Sequence, residues 1–132
     1  MNVRFIAEIG SNWEGQIELA KEQILKSKAS GANYVKFQMW RAEDLYSRDH
    51  PQWESIKKAQ LSFDVARELK SYSDKIGIAW FCSVFYPEAV EFLESIKVKR
   101  YKIASRTCTL KDPYSIETIE KIGITKKPTI IS

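Results

Sequence analysis

The sequence predicts an α/β fold with about five parallel strands and four or five helices. Five short apolar runs, each ending in a polar residue, alternate with segments of helical periodicity. The runs are residues 5–8, 34–38, 78–83, 101–105 and 129–132. Strands that alternate with helices pair in parallel, so their carboxyl ends lie at one edge of the sheet. The polar residues that end the runs are therefore expected to share a site.

Four segments between these strands have apolar residues at helical spacing. They are residues 16–30, 62–75, 87–96 and 114–122. Ser62 is a good N-cap, Pro87 opens the third helix, and Gly123 is predicted to end the fourth. Residues 39–60 form a long excursion after the second strand, and an insertion of that size is usually a binding loop or lid.

Two architectures fit this alternation: an open doubly wound sheet and the first part of a (β/α)8 barrel. The sequence has neither the glycine fingerprint of a dinucleotide fold nor a Walker phosphate loop. Lys36 and Gln38 share one face of the second strand, and Val35 and Phe37 share the other. A lysine between apolar strand residues needs water or an anion, which a barrel mouth supplies. We therefore predict a partial TIM barrel, with residues 1–132 as a single domain.

Composition predicts a globular protein that binds neither membranes nor nucleic acids. The chain has 132 residues, 44% hydrophobic and 29% charged, with a net charge of +4. Its lysines alternate with glutamates along helices, as on solvated faces. No apolar run approaches the roughly 20 residues of a membrane span. The first strand begins too early for a signal peptide, which predicts a cytoplasmic location. Cys82 and Cys108 are too few for a disulfide framework or a metal knuckle.

Lys36 and Lys102 are the sharpest candidates for chemistry. Each stands inside an apolar strand, where a lysine is unfavourable unless it is paired. The alternative is an edge-strand lysine that faces solvent. Together with the hydroxyls of Ser83, Ser105 and Ser132, the two ammonium groups would form a cradle for a phosphate or carboxylate.

Other polar and aromatic residues leave two interpretations open. Glu8 is either an acid, base or hydroxyl acceptor, or an ion-pair partner of one of the lysines. His50, the sole histidine, cannot build a metal site alone and is expected to be a solvated loop residue. Three tryptophans, Trp13, Trp40 and Trp53, either wall a small-molecule pocket or pack in the core or lid.

Six motifs, in order along the whole chain, carry a resemblance to a known family. They are residues 8–15, 35–38, 61–62, 82–85, 101–107 and 127–132. Among them, Val-Lys-Phe-Gln at 35–38 and Tyr-Lys-Ile-Ala-Ser at 101–105 are the most complete. These segments resemble the sialic acid synthase family, also called N-acetylneuraminate synthases.

The resemblance implies a TIM barrel that condenses phosphoenolpyruvate with an N-acetylated amino sugar to give a sialic-acid-type nonulosonate. The enol carbon attacks the sugar aldehyde, water adds to the resulting cation, and phosphate leaves by C–O cleavage. It implies that Glu8, Lys36 and Lys102 are catalytic. The implied substrate-binding residues are Gln38, Ser83, Ser105 and Ser132. Glu8 and Gln38 would face the sugar, and the lysines and serines would hold phosphoenolpyruvate. A divalent metal, manganese or magnesium, is expected for the complete family enzyme, with ligands that this chain does not carry.

The chain departs from the family pattern at three positions. Trp13 stands where the first motif has histidine, and Arg106 and Thr107 replace Gly-Glu after the fourth strand. That glutamate is proposed to contact the sugar in the family. Because the metal ligands are expected elsewhere, we expect the isolated chain to be inactive, and the sequence leaves its status as an enzyme open.

Two alternatives remain. One is a non-catalytic anion-binding half-barrel, or a remnant of the same family. The other is a different phosphoenolpyruvate-condensing aldolase that uses Arg41, Arg48 and Lys57 to bind a phosphorylated sugar. Exposed sheet edges and an apolar inner face also predict self-association or a complementing chain.

Overall fold

Strands and helices alternate along the chain in a computed structural model that describes residues 3–132. The strands are β1 (Ile6–Gly10), β2 (Tyr34–Met39), β3 (Ala79–Val84), β4 (Tyr101–Ile103) and β5 (Thr129–Ile131). The helices are α1 (Ile17–Ala29), α2 (Ala42–Leu45), α3 (Trp53–Lys58), α4 (Phe63–Ile76), α5 (Pro87–Ser95), α6 (Ser105–Cys108) and α7 (Ser115–Thr125). The sequence predicts that the first strand begins too early for a signal peptide. Met1 and Asn2, where that prediction falls, lie outside the described residues.

The order of the strands decides between the two predicted architectures. Each strand pairs in parallel with the next one along the chain, in the order β1-β2-β3-β4-β5. A doubly wound sheet reverses its strand order at a switch point, whereas a barrel keeps the sequential order. The sequential order therefore confirms the prediction of a partial (β/α)8 barrel.

The main core lies between the outer face of the sheet and the four longer helices. Val35, Phe37, Trp80, Cys82 and Tyr101 lie on this face, and each is almost fully buried. The complete burial of Cys82 confirms its prediction as a small core residue. None of the helices within residues 3–132 is both long and apolar enough to cross a membrane.

Capping explains why α4 begins and ends where the sequence predicts. The Ser62 hydroxyl accepts a hydrogen bond from the Val65 amide at 3.3 Å, which satisfies one of the free N–H groups of the first turn. Gly77 then ends the helix in the left-handed conformation, with φ of 77°.

Two predicted boundaries are wrong. Strand β4 ends at Ile103, and Ser105 begins the short helix α6, in which the Cys108 amide donates to the Ala104 carbonyl at 3.1 Å. Helix α7 continues through Gly123 to Thr125 and ends at Lys126, which is left-handed at φ 54°. A glycine after a helical segment permits a stop but does not impose one.

Residues 39–60, predicted to be a binding loop or lid, are folded around the short helices α2 and α3. The Ala42 amide donates to Gln60 Oε1 at 2.9 Å, which joins the two ends of this segment. This segment also packs through a second apolar cluster, formed by Trp40, Ala42, Ala59 and Phe85. Phe85 directly follows β3. The segment therefore covers the carboxyl edge of the sheet, and its movement as a lid stays a prediction.

Candidate functional site

A buried lysine joins three neighbouring strands at the carboxyl edge of the sheet. Lys36 in β2 is 8% exposed, and its ammonium donates to Ser83 Oγ in β3 at 2.9 Å. It also forms an ion pair with Glu8 in β1, whose side chain is half exposed. The ion pair and the hydrogen bond satisfy the ammonium inside the fold. Of the two interpretations of Glu8, the structure shows the ion pair.

A bulge in β1 places Gly10 beside the side chains of Glu8 and Gln38. The register of β1 against β2 shifts between Glu8 and Gly10, and Gly10 has φ of 59°. A Cβ on Gly10 would lie 3.3 Å from Glu8 Oε1 and 3.5 Å from Gln38 Nε2. The glycine therefore leaves room for these two polar side chains, both predicted to face the sugar.

Lys102 lies beside the same cluster. It is the register partner of Ser83, so both side chains project from the same face of the sheet. Lys102 is partly buried, and its ammonium has no hydrogen bond or ion pair within residues 3–132. Glu8 neutralises Lys36, so Lys102 adds an uncompensated positive charge to a site that already holds a hydroxyl donor.

The other two predicted serines lie at the same edge but outside this cluster. Ser132 continues the pairing of β5 with β4, because its amide donates to the Ile103 carbonyl at 3.3 Å. Ser105 is exposed at the start of α6. Neither hydroxyl bonds to another side chain in the described part of the chain, so the structure brings Glu8, Lys36 and Ser83 together and leaves these two apart.

A cavity of about 480 Å³ lies beside Trp40, which directly follows β2. The indole N–H of Trp40 donates to Gln38 Oε1 at 3.3 Å, and Trp40 forms part of the cavity wall. The remaining wall includes Ser11, Glu14, Tyr46, Gln52 and Ser55. Of the three predicted pocket tryptophans, Trp40 therefore lines a cavity, whereas Trp13 is 2% exposed in the main core and Trp53 packs on the second cluster.

Two of the three cations suggested for a phosphorylated sugar already have partners. Arg41 bonds to Asp44 at 2.6 Å and lies 3.5 Å from Glu88, and Lys57 pairs with Glu43. These pairs weaken the case for a second phosphate pocket in this segment.

Arg106, one of the residues that depart from the family pattern, links helix α6 to the segment of residues 39–60. Its guanidinium makes two hydrogen bonds to Asp112, at 2.6 and 2.9 Å, and donates to the Leu45 carbonyl at 3.1 Å. The bond to Asp112 raises the pKa of Arg106. Arg106 thus ties α6 to α2. Its neighbour Thr107 is 1% exposed, with a hydroxyl unpartnered among residues 3–132.

The residues do not fit a metal site. Within residues 3–132, no three His, Cys, Asp or Glu side chains form a group that could hold a metal ion. His50 is partly exposed, and its Nδ1 accepts a hydrogen bond from the Gln52 amide at 3.1 Å. We therefore derive no step from a metal.

A comparison with known protein families shows which family this chain belongs to. Residues 23–132 match the NeuB family, which is most of the chain. The chain belongs to the NeuB family. Relatives include the N,N'-diacetyllegionaminic acid synthase of Legionella pneumophila, 31% identical over 146 residues and covering 100% of this chain and 40% of that protein. The N-acetylneuraminate-9-phosphate synthase of Mus musculus is 34% identical over 140 residues, covering 96% of this chain and 38% of its own length.

A solved NeuB-family structure has the same fold. The N-acetylneuraminic acid synthetase of Leptospira borgpetersenii superposes with a TM-score of 0.79 at 25% identity, covering 99% of this chain and 53% of that one. This NeuB-family chain therefore spans about half of the Leptospira structure and about two fifths of the curated relatives named above.

Proposed function

We propose that this NeuB-family chain supplies the phosphoenolpyruvate-binding part of a synthase that condenses phosphoenolpyruvate with an N-acetylated amino sugar. The observation that carries the proposal is the buried Lys36, held between Ser83 and Glu8, with Lys102 in register beside Ser83. Two ammonium groups and a hydroxyl suit a ligand that carries both a phosphate and a carboxylate. The relatives make sialic-acid-type sugars, which supports the family reaction and leaves the particular sugar open.

Within this proposal the lysines stabilise charge. As the enol carbon bonds to the sugar aldehyde and water adds to the cation, the C–O bond to phosphate breaks and the phosphate carries away the electron pair. Lys36 and Lys102 hold the phosphoryl and carboxylate oxygens through these steps, and Ser83 donates a hydrogen bond to them. Ser105, at the start of α6, and Ser132, after β5, lie outside this cluster, and their contact with phosphoenolpyruvate stays a prediction.

Glu8 and Gln38 take the sugar side of the site. Glu8 is half exposed even though it pairs with Lys36, so its second oxygen remains accessible to a sugar hydroxyl. Gln38 accepts a hydrogen bond from Trp40, and the cavity that Trp40 lines has room for a sugar. The cytoplasmic location and the single domain of residues 1–132 stay predictions.

Phosphate release tests the proposal. The chain is incubated with manganese, phosphoenolpyruvate and N-acetylmannosamine, and inorganic phosphate is measured against time for the wild type and for Lys102→Ala. Lys111→Ala, an exposed lysine in the loop after α6, is the matched control. Release that Lys102→Ala abolishes and Lys111→Ala retains supports the synthase.

A second function, binding of an anion without catalysis, is favoured by one observation. Arg106 and Thr107 stand where the family pattern has Gly-Glu, so the glutamate proposed to contact the sugar is replaced. Bonds to Asp112 and Leu45 fix Arg106 in place. If phosphoenolpyruvate binds and no phosphate is released with any sugar in a panel, the isolated chain binds the anion without catalysing the condensation, which is the result expected for it from the sequence. Absence of binding contradicts both functions.

A further inference from the structure

A second cavity lies at the opposite edge of the sheet from the candidate site. Tyr34 and Ala79, the first residues of β2 and β3, line it together with Arg100, which directly precedes β4. Its volume is about 130 Å³, several times the roughly 30 Å³ that one water occupies. The amino and carboxyl ends of parallel strands lie at opposite edges, so this cavity is separate from the proposed phosphoenolpyruvate site.

The walls of this cavity carry an excess of positive charge. Lys97, Lys99 and Arg100 line it, and none of them has an ion-pair partner among residues 3–132. The single lining carboxylate, Asp74, is bound to Lys70 at 2.6 Å. Three cations around a small concave space favour an anion there.

Two lining residues also hold N–H groups that are buried without a partner. Trp80 is 3% exposed, and its indole Nε1 has no hydrogen-bond acceptor within the described residues. The same is true of Arg100 Nε. Arg100 is otherwise fixed, because its Cζ lies 4.0 Å from the centre of the Tyr34 ring and its Nη2 donates to Tyr34 OH at 2.9 Å. Trp80 thus provides a buried indole N–H on a residue of the cavity wall.

We propose that the cavity between α4 and the start of β4 binds a phosphate group, either as inorganic phosphate or as a phosphomonoester. A tetrahedral phosphate offers several acceptor oxygens at once, which suits the guanidinium of Arg100 and the flexible ammonium groups of Lys97 and Lys99. This site is independent of the proposed synthase function, since no residue is shared between them.

The test uses the whole chain and two probes, inorganic phosphate and glycerol phosphate, at constant ionic strength. Calorimetry gives the affinity, and the indole N–H signal of Trp80, assigned by its loss in Trp80→Phe, reports the location in an NMR titration. The paired substitution Lys97→Gln with Lys99→Gln is expected to weaken binding about tenfold or more. Lys111→Gln removes the same kind of charge elsewhere and is expected to leave binding and the Trp80 shift unchanged.

Outcomes separate the proposal from its alternatives. A Trp80 shift with inorganic phosphate alone assigns free phosphate as the ligand, and a shift with glycerol phosphate assigns a phosphomonoester. Because Lys97 and Lys99 are exposed, circular dichroism is expected to show an unchanged fold in the paired variant. Phosphate binding that leaves the Trp80 signal in place belongs to another site and overturns the proposal, as does the absence of binding.

Discussion

Lys36 shows how a single residue fixes the character of the candidate site. A lysine in the middle of a buried strand needs partners, and the structure supplies Glu8 and Ser83 from the two neighbouring strands. The requirement could be predicted from the sequence, because it follows from burial alone. Glu8 was already a predicted partner of one of the two lysines, but which lysine it pairs with depends on the register between β1 and β2.

Replacing Glu8 by glutamine is expected to have opposite effects on stability and on anion binding. The variant leaves Lys36 buried with only Ser83 as partner, so unfolding should become easier by about 1–2 kcal/mol, less than for a fully buried pair because Glu8 is half exposed. The freed ammonium should bind phosphoenolpyruvate several-fold more tightly. Urea denaturation and calorimetry measure the two effects.

Glu120→Gln provides the control, since Glu120 is exposed and has no ion pair among residues 3–132. If Glu8→Gln binds phosphoenolpyruvate more weakly than the wild type, Glu8 does not compete with the ligand for Lys36. That result would contradict the proposed position of Glu8 beside the phosphoenolpyruvate site.

The two cysteines are expected to differ sharply in reactivity. Cys82 is fully buried, and burial raises the pKa of its thiol well above the ordinary value, whereas Cys108 is exposed. A disulfide reagent should therefore modify one thiol per chain quickly and the other roughly a hundredfold or more slowly, through opening of the fold. Cys108→Ser should remove the fast phase, and two thiols of equal rate would show that β3 is not packed as described.

At the scale of elements, the long helices and the strands could be predicted and the short helices could not. Helix α4 has an apolar face, a capping serine and a terminating glycine, so its local sequence suffices. Helices α2, α3 and α6 have four to six residues, too short to be stable alone, and depend on tertiary contacts. One such contact is the bond from Ala42 to Gln60. The same dependence explains why Ser105 was wrongly placed in β4.

Alanine substitutions at two glycines test whether α3 packs on the turn after β1. Gly15 and Gly31 both have positive φ, 71° and 88°, so alanine is strained at either position. A Cβ on Gly15 would lie 2.2 Å from the Lys58 carbonyl oxygen, whereas a Cβ on Gly31 meets nothing within 4 Å. We expect Gly15→Ala to destabilise the chain by about 1–3 kcal/mol more than Gly31→Ala in thermal or urea unfolding. Equal losses would show that α3 does not pack on this turn.

At the scale of the whole molecule, exposed apolar side chains lie at both edge strands of the sheet, β1 and β5. Phe5 beside β1 is 65% exposed, and Ile131 in β5 is 67% exposed. An unpaired edge of this kind promotes association with another strand. The predicted self-association remains a prediction and has a direct test.

Sedimentation velocity over a range of concentrations is expected to show dimers or larger species. Ile131→Lys places a charge on the β5 edge and should shift the population towards monomer. Ile124→Lys alters a residue of α7 that is 77% exposed and should have little effect. A wild-type chain that stays monomeric throughout would contradict the prediction.

The sequence predicted which residues belong to the candidate site, but not all of the contacts between them. Sequence position alone placed Lys36, Ser83 and Lys102 at the same edge, because parallel strands align their carboxyl ends. The bridge from Arg106 to Leu45 spans 61 residues of sequence, and no local pattern indicates it. Side chains that meet across such distances are determined by the packing of loops, which periodicity does not encode.

The central claim is that Lys36, Ser83 and Lys102 form one anion site for phosphoenolpyruvate. Its most direct test is a calorimetric titration of phosphoenolpyruvate into the chain carrying Lys97→Gln and Lys99→Gln, which silences the second cavity. In this background we expect one site per chain, weakened about tenfold or more by Lys102→Met and unchanged by Lys111→Met. Binding that Lys102→Met leaves intact, or no binding at all, would contradict the account.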